Sequence, residues 1–438
     1  MTSLEDYERC LDTMYALGRF GIVLGLSTMQ EILSKLGNPH KDLACIHVAG
    51  TNGKGSVSST LAHILHQSGS RTGLYTSPHL VSFNERIMVD NEQVSNDEVV
   101  EAYHAVAAAN TGERSATFFE LSTAMAFYLF KKKKVEYAVI ETGMGGRLDA
   151  TNIITPLLSI ITNISLEHKA YLGSTLSDIA FEKAGIIKQG VPVITAADQD
   201  TVLSVIEKTA SENQAPLSIY RRDFKVRRKK QEGCFTYYGL NETWQDMQVE
   251  LKGKHQVDNG ALALAACEVL KTKAKRITED TVRQGLKATR WPGRLEVVAQ
   301  SPLTMVDGAH NLMSIHKLSD YLEEYHSDKK ITLVTGVLDD KAYSAMFKRL
   351  LPLCARVVLT QAKTERAIAP ESLYKVAKDL CPDVTIINDI PEAILHAEKK
   401  TGEGDMICIS GSLYVVGEAK AFFDERSGSG VTMNMKRI

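Results

Sequence analysis

A glycine-rich loop near the start of the chain has residue types that suit phosphate binding. Residues 44–60 read ACIHVAGTNGKGSVSST, in which an apolar run leads into the loop and a helix-like segment follows it. Glycines let the backbone turn its N–H groups toward phosphate oxygens, a lysine adds positive charge, and a helix N-terminus favours an anion. The sequence therefore predicts a triphosphate site formed by Gly50, Thr51, Asn52, Gly53, Lys54, Gly55 and Ser56.

This loop departs from the generic phosphate-binding pattern GxxxxGK[ST]. Val48 stands where the first glycine is expected, and Gly55 separates Lys54 from Ser56. The alternative is an ordinary glycine-rich turn between a strand and a helix. Nucleotide binding is the first hypothesis, because the flanking strand and helix both occur where phosphate binding requires them.

Candidate metal ligands follow other predicted strands. The run YAVIE ends at Glu141 and continues into the loop TGMGGRLDATN. A carboxylate at the carboxyl end of a parallel strand lies in the crevice where α/β proteins bind ligands, and beside a triphosphate it would hold Mg²⁺. Ser77 in TSPHL offers a hydroxyl, and His168 follows the run LLSIIT beside Glu167. The alternatives are a loop-capping glutamate, a Ser-Pro turn and an ordinary histidine.

Elements with the periodicity of a parallel α/β protein would position these residues. Continuous apolar runs separated mostly by helix-period segments are typical of parallel sheets covered on both faces, so the predicted class is α/β in both halves. Residues 215–250 differ, since short alternating runs such as CFTYYG predict a small antiparallel insertion. The predicted strands are 137–141, 157–162, 191–195, 331–335, 356–360 and 406–409.

The chain is long enough for two domains. With 438 residues it exceeds the usual size of a single domain. Trp291, Pro292 and Gly293 interrupt the pattern before a fresh series of strands, which places the boundary near Glu296 and the domains at 1–296 and 297–438. The tail, residues 427–438, is expected to fray.

Composition excludes several classes of partner. The net charge of −2 gives no electrostatic reason to bind nucleic acid or an anionic membrane. The basic runs 131–134 and 225–230 are interpreted as solvated surface. A polar, acidic start and the lack of an 18-residue apolar run predict a cytoplasmic protein. Scattered cysteines without a CxxC pair predict reduced thiols at Cys10, Cys45, Cys234, Cys267, Cys354, Cys381 and Cys408.

Nine motifs occur in one order: GTNGKGS, TSPHL with ERI, FFELSTAMAF, ETGMGGRLDATN, EKAGIIK, GKHQVDN, WPGRLE, DGAHN and GSLYVVGE. From about Phe20 to Glu418 the chain thus resembles the folylpolyglutamate synthase/dihydrofolate synthase family of the Mur-ligase superfamily. The resemblance implies a P-loop ATPase domain with a mostly parallel sheet and a smaller, Rossmann-like C-terminal domain. It also implies a ligase of folate biosynthesis, in which ATP converts a carboxylate into an acyl phosphate that the amine of L-glutamate attacks.

The resemblance also assigns roles to residues of the first domain. Lys54 and the amides of Gly53, Gly55 and Ser56 would cradle the β- and γ-phosphates. Two Mg²⁺ ions are implied, one held by Ser77 and Glu141 and the other by Glu141 and His168. Lys183 in EKAGII matches a lysine that the superfamily carbamylates, with a plain salt-bridging lysine as the alternative.

Further nucleotide contacts are implied around the domain boundary. Asn259 resembles an adenine contact, Arg294 a γ-phosphate contact and Asp307 a ribose contact, and His310 would face the acyl phosphate when the domains close. The alternatives are a helix cap at Asn259, a linker salt bridge at Arg294, and a plain turn formed by Asp307 and Gly308.

Three positions depart from the family pattern. Leu312 replaces a proline after DGAHN, Gly260 replaces an alanine after HQVDN, and Glu167 stands where an aspartate precedes the metal histidine. We expect the first to loosen the loop of His310 and the third to alter the surroundings of the metal.

The resemblance implies activity on dihydropteroate, reduced folates or both, and we predict both activities. A monomer is the family default. The loops near Phe83, Asn84 and Phe119 would decide the preference. Three alternatives remain: a cell-wall Mur ligase with a uridine-nucleotide substrate, a P-loop kinase that needs no amino acid, and a nucleotide-binding regulator without turnover.

Overall fold

Parallel strands alternating with helices account for most of the chain in the computed structural model, which describes residues 3–17, 23–272 and 276–428. Two units are present. The first contains the described residues within Met1–His79, Phe83–Glu250 and His255–Arg290, and the second contains those within Leu80–Ser82, Leu251–Lys254 and Trp291–Ile438. Phe20 and residues 429–438 of the predicted frayed tail lie outside the described residues. The boundary near Glu296 stays a prediction.

An eight-stranded sheet forms the centre of the first unit. Its strands are β1 (Ala44–Ala49), β2 (Thr72–Tyr75), β3 (Ile87–Val89), β4 (Glu92–Gln93), β5 (Tyr137–Glu141), β6 (Leu158–Ile161), β7 (Val193–Thr195) and β8 (Leu217–Ile219). The order is β4-β3-β2-β5-β1-β6-β7-β8, and only the β4-β3 and β3-β2 pairs are antiparallel.

A second, smaller sheet of this unit is antiparallel. It contains β9 (Lys225–Arg228), β10 (Cys234–Tyr238) and β11 (Thr243–Gln248) in the order β11-β10-β9. The predicted antiparallel insertion is confirmed for these strands. It is wrong for Leu217–Ile219, which pairs parallel with β7 and extends the main sheet.

Ten α-helices accompany these strands in the described chain up to Ala288. They are α1 (Leu4–Ala16), α2 (Ser27–Lys35), α3 (Lys54–Gln67), α4 (Asn96–Ala109), α5 (Phe118–Lys132), α6 (Lys169–Leu172), α7 (Leu176–Ala184), α8 (Asp200–Glu212), α9 (Lys254–Lys271) and α10 (Glu279–Ala288). Short 3₁₀ helices cover Pro39–Asp42, Phe83–Arg86 and Ala150–Ile153.

The second unit contains a six-stranded sheet in the order β12-β13-β17-β14-β15-β16, parallel except for β12. Its strands are β12 (Glu296–Gln300), β13 (Leu303–Val306), β14 (Ile331–Thr335), β15 (Cys354–Leu359), β16 (Val384–Ile386) and β17 (Met406–Ser410). Its helices are α11 (Leu312–Tyr325), α12 (Tyr343–Leu350), α13 (Pro370–Ala377), α14 (Ile390–Lys400) and α15 (Leu413–Arg426), with a 3₁₀ turn at Leu351–Leu353.

Both faces of the six-stranded sheet are buried. Along β17, Met406 and Cys408 belong to one apolar core, while Ile407 and Ile409 belong to another. Successive side chains of a strand point to opposite faces, so a strand covered on both sides reads as a continuous apolar run. The predicted α/β class is confirmed in both units.

All seven cysteines lie in the described part of the chain and are free thiols; six are buried, and Cys234 is half-buried. Burial raises the pKa of Cys45 to about 12. No helix among the described residues is long and apolar enough to cross a membrane.

The basic run at 131–134 lies at the end of α5 and carries ion pairs. Lys131 pairs with Asp42, and the two side chains are 51% and 69% exposed. Ion pairs this exposed contribute little to stability because solvent screens the two charges. These contacts agree with a surface role for the run.

Candidate active site

The glycine-rich loop joins β1 to α3 in the first unit. α3 begins at Lys54, directly after the loop, with Gly53 as its N-cap. Thr51 N–H donates to the carbonyl of Asn163 at 2.8 Å, and Asn52 N–H donates to Asn163 Oδ1 at 3.0 Å. The segment after β6 therefore holds Thr51 and Asn52 by hydrogen bonds. The second half of the loop leads directly into the N-terminus of α3.

Two glycines of this loop have no room for a side chain. Gly50 has φ 150° and Gly53 has φ 84°, a region that favours glycine. A Cβ on Gly50 would overlap Thr162 Oγ1, and a Cβ on Gly53 would lie 2.6 Å from Asn259 Oδ1. The second contact brings Asn259 against the loop.

Asn259 lies inside α9, so the alternative that it caps a helix is wrong. Its Nδ2 donates to Gln256 Oε1 at 2.9 Å, which orients the amide. A Cβ on the neighbouring Gly260 would lie 2.9 Å from Val249 Cγ1. The glycine at this position therefore accommodates the valine.

Lys54 and Glu141 meet where β1 and β5 end. Glu141 is the last residue of β5 and is paired in register with Val48 of β1. Lys54 Nζ lies 3.8 Å from Glu141 Oε1, with side-chain exposures of 16% and 5%. Ser77 N–H donates to Glu141 Oε2 at 3.4 Å. The structure thus brings three of the predicted site residues together.

Lys183 approaches the same loop from α7. Its Nζ donates to the carbonyl of Gly50 at 2.7 Å. Burial and the nearby charge of Lys54 lower the pKa of Lys183 to about 7. Among the described residues Lys183 forms no ion pair, which disfavours the plain salt-bridge alternative.

His168 lies in the segment after β6, where it precedes α6 with φ 51°. Because β6 is the parallel neighbour of β1, the two following loops leave the same edge of the sheet. The carboxylate of Glu167 acts electrostatically on Lys183 and partly offsets the lowering of its pKa by burial and by Lys54. The structure thus places the segment of His168 on the same edge as the glycine-rich loop.

The oxygen donors at this edge suit magnesium. Glu141 supplies a carboxylate and Ser77 a hydroxyl, both ligand types that Mg²⁺ accepts. The hydroxyl of Thr142, next to Glu141, is buried and has no hydrogen-bond partner among the described residues. The described residues contain no group of three or more His, Cys, Asp and Glu side chains placed to hold a metal. Phosphate oxygens and water would therefore complete the coordination.

Sequence reasoning assigned no role to Asp149, which holds the loop after Glu141. Its Oδ2 accepts from Met144 N–H at 2.8 Å, and its Oδ1 accepts from the N–H and hydroxyl of Thr151. The Thr151 hydroxyl also contacts His47 Nε2, in β1, at 2.8 Å. Burial raises the pKa of Asp149. Asp149 is visible in the sequence motif LDATN. Its structural role depends on Thr151, which links it to His47 of β1.

Arg294, Asp307 and His310 meet in the second unit. Asp307 Oδ2 accepts from Leu295 N–H at 2.9 Å. Burial raises the pKa of Asp307, an effect that the charge of Arg294 opposes. A Cβ on Gly308 would overlap Arg294 Nη1, and His310 Nδ1 lies 2.7 Å from the Gly308 carbonyl. Gly308 thus contacts two predicted site residues.

Leu312 is the first residue of α11, and Asn311 caps this helix. Asn311 Oδ1 accepts from Ser314 N–H at 2.9 Å. Proline favours the first position of a helix because it lacks the N–H group. Here the asparagine cap fixes the helix start after His310 without a proline.

The residues predicted to decide substrate preference lie among aromatic side chains. Phe83 and Asn84 are buried, and Asn84 Nδ2 donates to the carbonyl of Val94 at 2.6 Å. Asn84 Oδ1 accepts from the Tyr7 hydroxyl. Phe119 leaves no room for a Cβ at Gly143. Asn84 therefore fixes neighbouring backbone, and Phe119 packs on the loop after Glu141.

Matches to two protein families assign the chain to a class of ATP-dependent ligases. Residues 48–267 match the Mur ligase middle domain, and residues 293–413 match the Mur ligase, glutamate ligase domain. The chain is 34% identical over 412 residues to the dihydrofolate synthase/folylpolyglutamate synthase of Bacillus subtilis, covering 92% of this chain and 95% of that protein. The protein belongs to the dihydrofolate synthase/folylpolyglutamate synthase family.

Solved structures agree with this assignment. Folylpolyglutamate synthase from Thermotoga maritima is 34% identical, with a TM-score of 0.85 and 98% coverage of both chains. Folylpolyglutamate synthase from Mycobacterium tuberculosis, complexed with ADP, is 29% identical, with a TM-score of 0.88, 95% coverage of this chain and 99% of that chain. The predicted family and fold are confirmed.

Proposed function

We propose that the protein is an ATP-dependent ligase that joins L-glutamate to dihydropteroate, to reduced folates, or to both. The observation that carries the proposal is the pair of half-buried Lys54 and buried Glu141, 3.8 Å apart beside the glycine-rich loop. Family membership and the ADP complex of the M. tuberculosis relative support nucleotide use. We propose in addition the Mg²⁺ sites, the roles of the individual residues and the preference among folates.

Cleavage of ATP would drive this reaction, and neutralisation of negative charge would lower its barrier. The γ-phosphate of ATP passes to the substrate carboxylate and ADP leaves; the glutamate amine then attacks the acyl phosphate and releases phosphate. Lys54 would bind the phosphates, and N–H groups at the start of α3 would donate to the same oxygens. Bound Mg²⁺ would offset the repulsion between phosphate and carboxylate. Ser77, Glu141 and His168 would hold it.

Within the second unit, the proposed nucleotide and acyl-phosphate contacts are Arg294, Asp307 and His310. The Arg294 guanidinium has the planar geometry that binds a phosphate through two parallel hydrogen bonds. Asp307 already accepts backbone N–H groups with both oxygens, so a ribose hydroxyl would use its remaining lone pairs. His310 Nδ1–H donates to the Gly308 carbonyl, which orients the imidazole.

Phosphate release is the first test of this function. Purified protein is assayed with ATP, Mg²⁺ and L-glutamate, with dihydropteroate in one series and mono-glutamylated tetrahydrofolate in another, while product mass is followed. Turnover with both substrates, each gaining one glutamyl unit, would show both activities. Turnover with one assigns a single step, and the absence of glutamate-dependent turnover with either would refute the proposal.

Lys183 is expected to carry a carbamate, formed when its neutral amine attacks CO₂ and loses a proton. Because the pKa of Lys183 is lowered to about 7, the amine is mostly protonated near pH 6 and mostly neutral near pH 8. We therefore expect carbamate occupancy and turnover to rise over this interval, and Lys183→Ala to lose both. Carbon-13 NMR with labelled bicarbonate detects the carbamate directly.

Lys188, a partly buried lysine whose pKa is likewise lowered by burial, is the matched control. Lys188→Ala should retain the carbamate signal. A wild-type protein without the signal at either pH would contradict the carbamate assignment.

A further inference from the structure

The loop that carries Ser77 is bounded on both sides by contacts to one residue, Arg86. Arg86 ends the 3₁₀ turn before β3, and β3 runs antiparallel to β2 with Tyr75 opposite Ile87. This register places Arg86 opposite Thr76, whose N–H donates to the Arg86 carbonyl at 3.0 Å. The backbone of Arg86 therefore fixes the first residue of the loop.

The side chain of Arg86 fixes the other end. Its Nε–H donates to His79 Nδ1 at 2.8 Å. A guanidinium has no acceptor, so His79 Nδ1 must accept, and the imidazole is the neutral tautomer with its proton on Nε2. Ser77 lies between these two contacts and itself donates its N–H to Glu141 Oε2 at 3.4 Å.

Aromatic rings hold the guanidinium in place. Arg86 Cζ lies 4.9 Å from the ring centroid of Phe118, and the whole residue is 3% exposed. Tyr15 stacks on Phe118 at 5.4 Å, and Phe83 meets the His79 ring edge-on at 6.2 Å. A buried guanidinium on an aromatic face is restricted in orientation, which makes its hydrogen bond to His79 directional.

We infer that Arg86 is a positioning residue that sets the place of the Ser77 hydroxyl by holding the Thr76–His79 loop at both ends. The inference rests on the proposed function, in which Ser77 is a magnesium ligand. Mg²⁺ demands near-ideal octahedral geometry, so a small displacement of one ligand weakens its binding strongly. Arg86 would thus act on the metal through Ser77.

The test separates metal-dependent from metal-independent nucleotide binding. We would measure the Kd of a non-hydrolysable ATP analogue by calorimetry with excess Mg²⁺ and again with EDTA. Arg86→Met keeps the length of the side chain but loses the donor. The affinity ratio is the Kd in EDTA divided by the Kd with Mg²⁺. Arg86→Met should reduce this ratio about tenfold and leave the Kd in EDTA within about twofold of wild type. Arg86→Lys keeps charge and a donor, and should recover part of the ratio.

Arg114→Met is the matched control. Arg114 forms a two-point ion pair with Glu120, at 2.9 and 2.7 Å, so Arg114→Met also removes hydrogen bonds of an arginine but leaves the contact to His79 in place. Its affinity ratio should equal that of wild type. Hydrogen exchange of the Ser77 and His79 amides in metal-free protein provides a second measurement, and it should be faster in Arg86→Met than in Arg114→Met.

The outcomes distinguish the inference from the proposed function. An unchanged affinity ratio and unchanged exchange in Arg86→Met would overturn the positioning role. A wild-type protein whose nucleotide affinity does not respond to Mg²⁺ would instead refute the metal site itself. If Arg86→Met does not fold, His79→Leu removes the same hydrogen bond from the other partner and should lower the ratio equally.

Discussion

Glu141→Ala is expected to reduce glutamate-dependent ATP turnover by at least about 10³-fold, because it removes the proposed common ligand of both magnesium ions. The Glu141 carboxylate is buried, and its Oε1 lies 3.8 Å from Lys54 Nζ. A dissolved anion would therefore not replace the lost negative charge in the alanine variant. Glu141→Asp keeps the charge but withdraws it by one methylene, and should retain partial activity that more Mg²⁺ improves. Phosphate release against Mg²⁺ concentration measures both effects.

Lys131→Ala provides the comparison for this experiment. Lys131 forms an exposed ion pair with Asp42 at the end of α5, so its removal should leave turnover near wild type. Wild-type-like activity in a folded Glu141→Ala protein would remove the metal assignment.

Lys54→Met is expected to lower turnover by about 10²–10³-fold, since a hydrophobic side chain of similar length removes the positive charge from the phosphate loop. The loss should appear in kcat as well as in the KM for ATP, because charge on the transferred phosphate is redistributed in the transition state. Lys54→Arg should restore little, since a planar guanidinium does not replace a compact ammonium.

The same substitution has a second expected effect. The charge of Lys54 lowers the pKa of Lys183, so Lys54→Met should raise that pKa and move the rise in carbamate occupancy to higher pH. Carbon-13 NMR across a pH series measures this shift without any turnover. A pH profile of the carbamate identical to wild type would show that the two lysines do not interact.

The sequence was sufficient where one local signal determines the structure. The run YAVIE is the whole of β5, Tyr137–Glu141, because a buried parallel strand is continuously apolar. The run predicted from Val191 begins only at Val193 in β7, since Pro192 has no N–H for the ladder, although its carbonyl accepts from Ser159. Strand existence was thus predictable, and strand ends depended on pairing.

Other features depend on contacts between distant segments. Leu217–Ile219 is too short to show a period, and only its pairing with β7 assigns it to the main sheet. His79 and Arg86 stand in the motif pair TSPHL with ERI, but their hydrogen bond became visible only with the antiparallel register of β2 and β3. Asp149 was visible in a motif, but its role required the loop that folds back onto it.

The distribution of thiols offers a practical route to observing this protein in solution. Of the seven cysteines, all within the described residues, only Cys234 is half-buried, and it begins β10 of the small antiparallel sheet. A maleimide dye should therefore attach to this strand in preference to the enclosed positions. β10 belongs to the three-stranded sheet, whereas the glycine-rich loop follows β1 of the eight-stranded sheet. A fluorophore on Cys234 would therefore label the protein without replacing any residue of the proposed site.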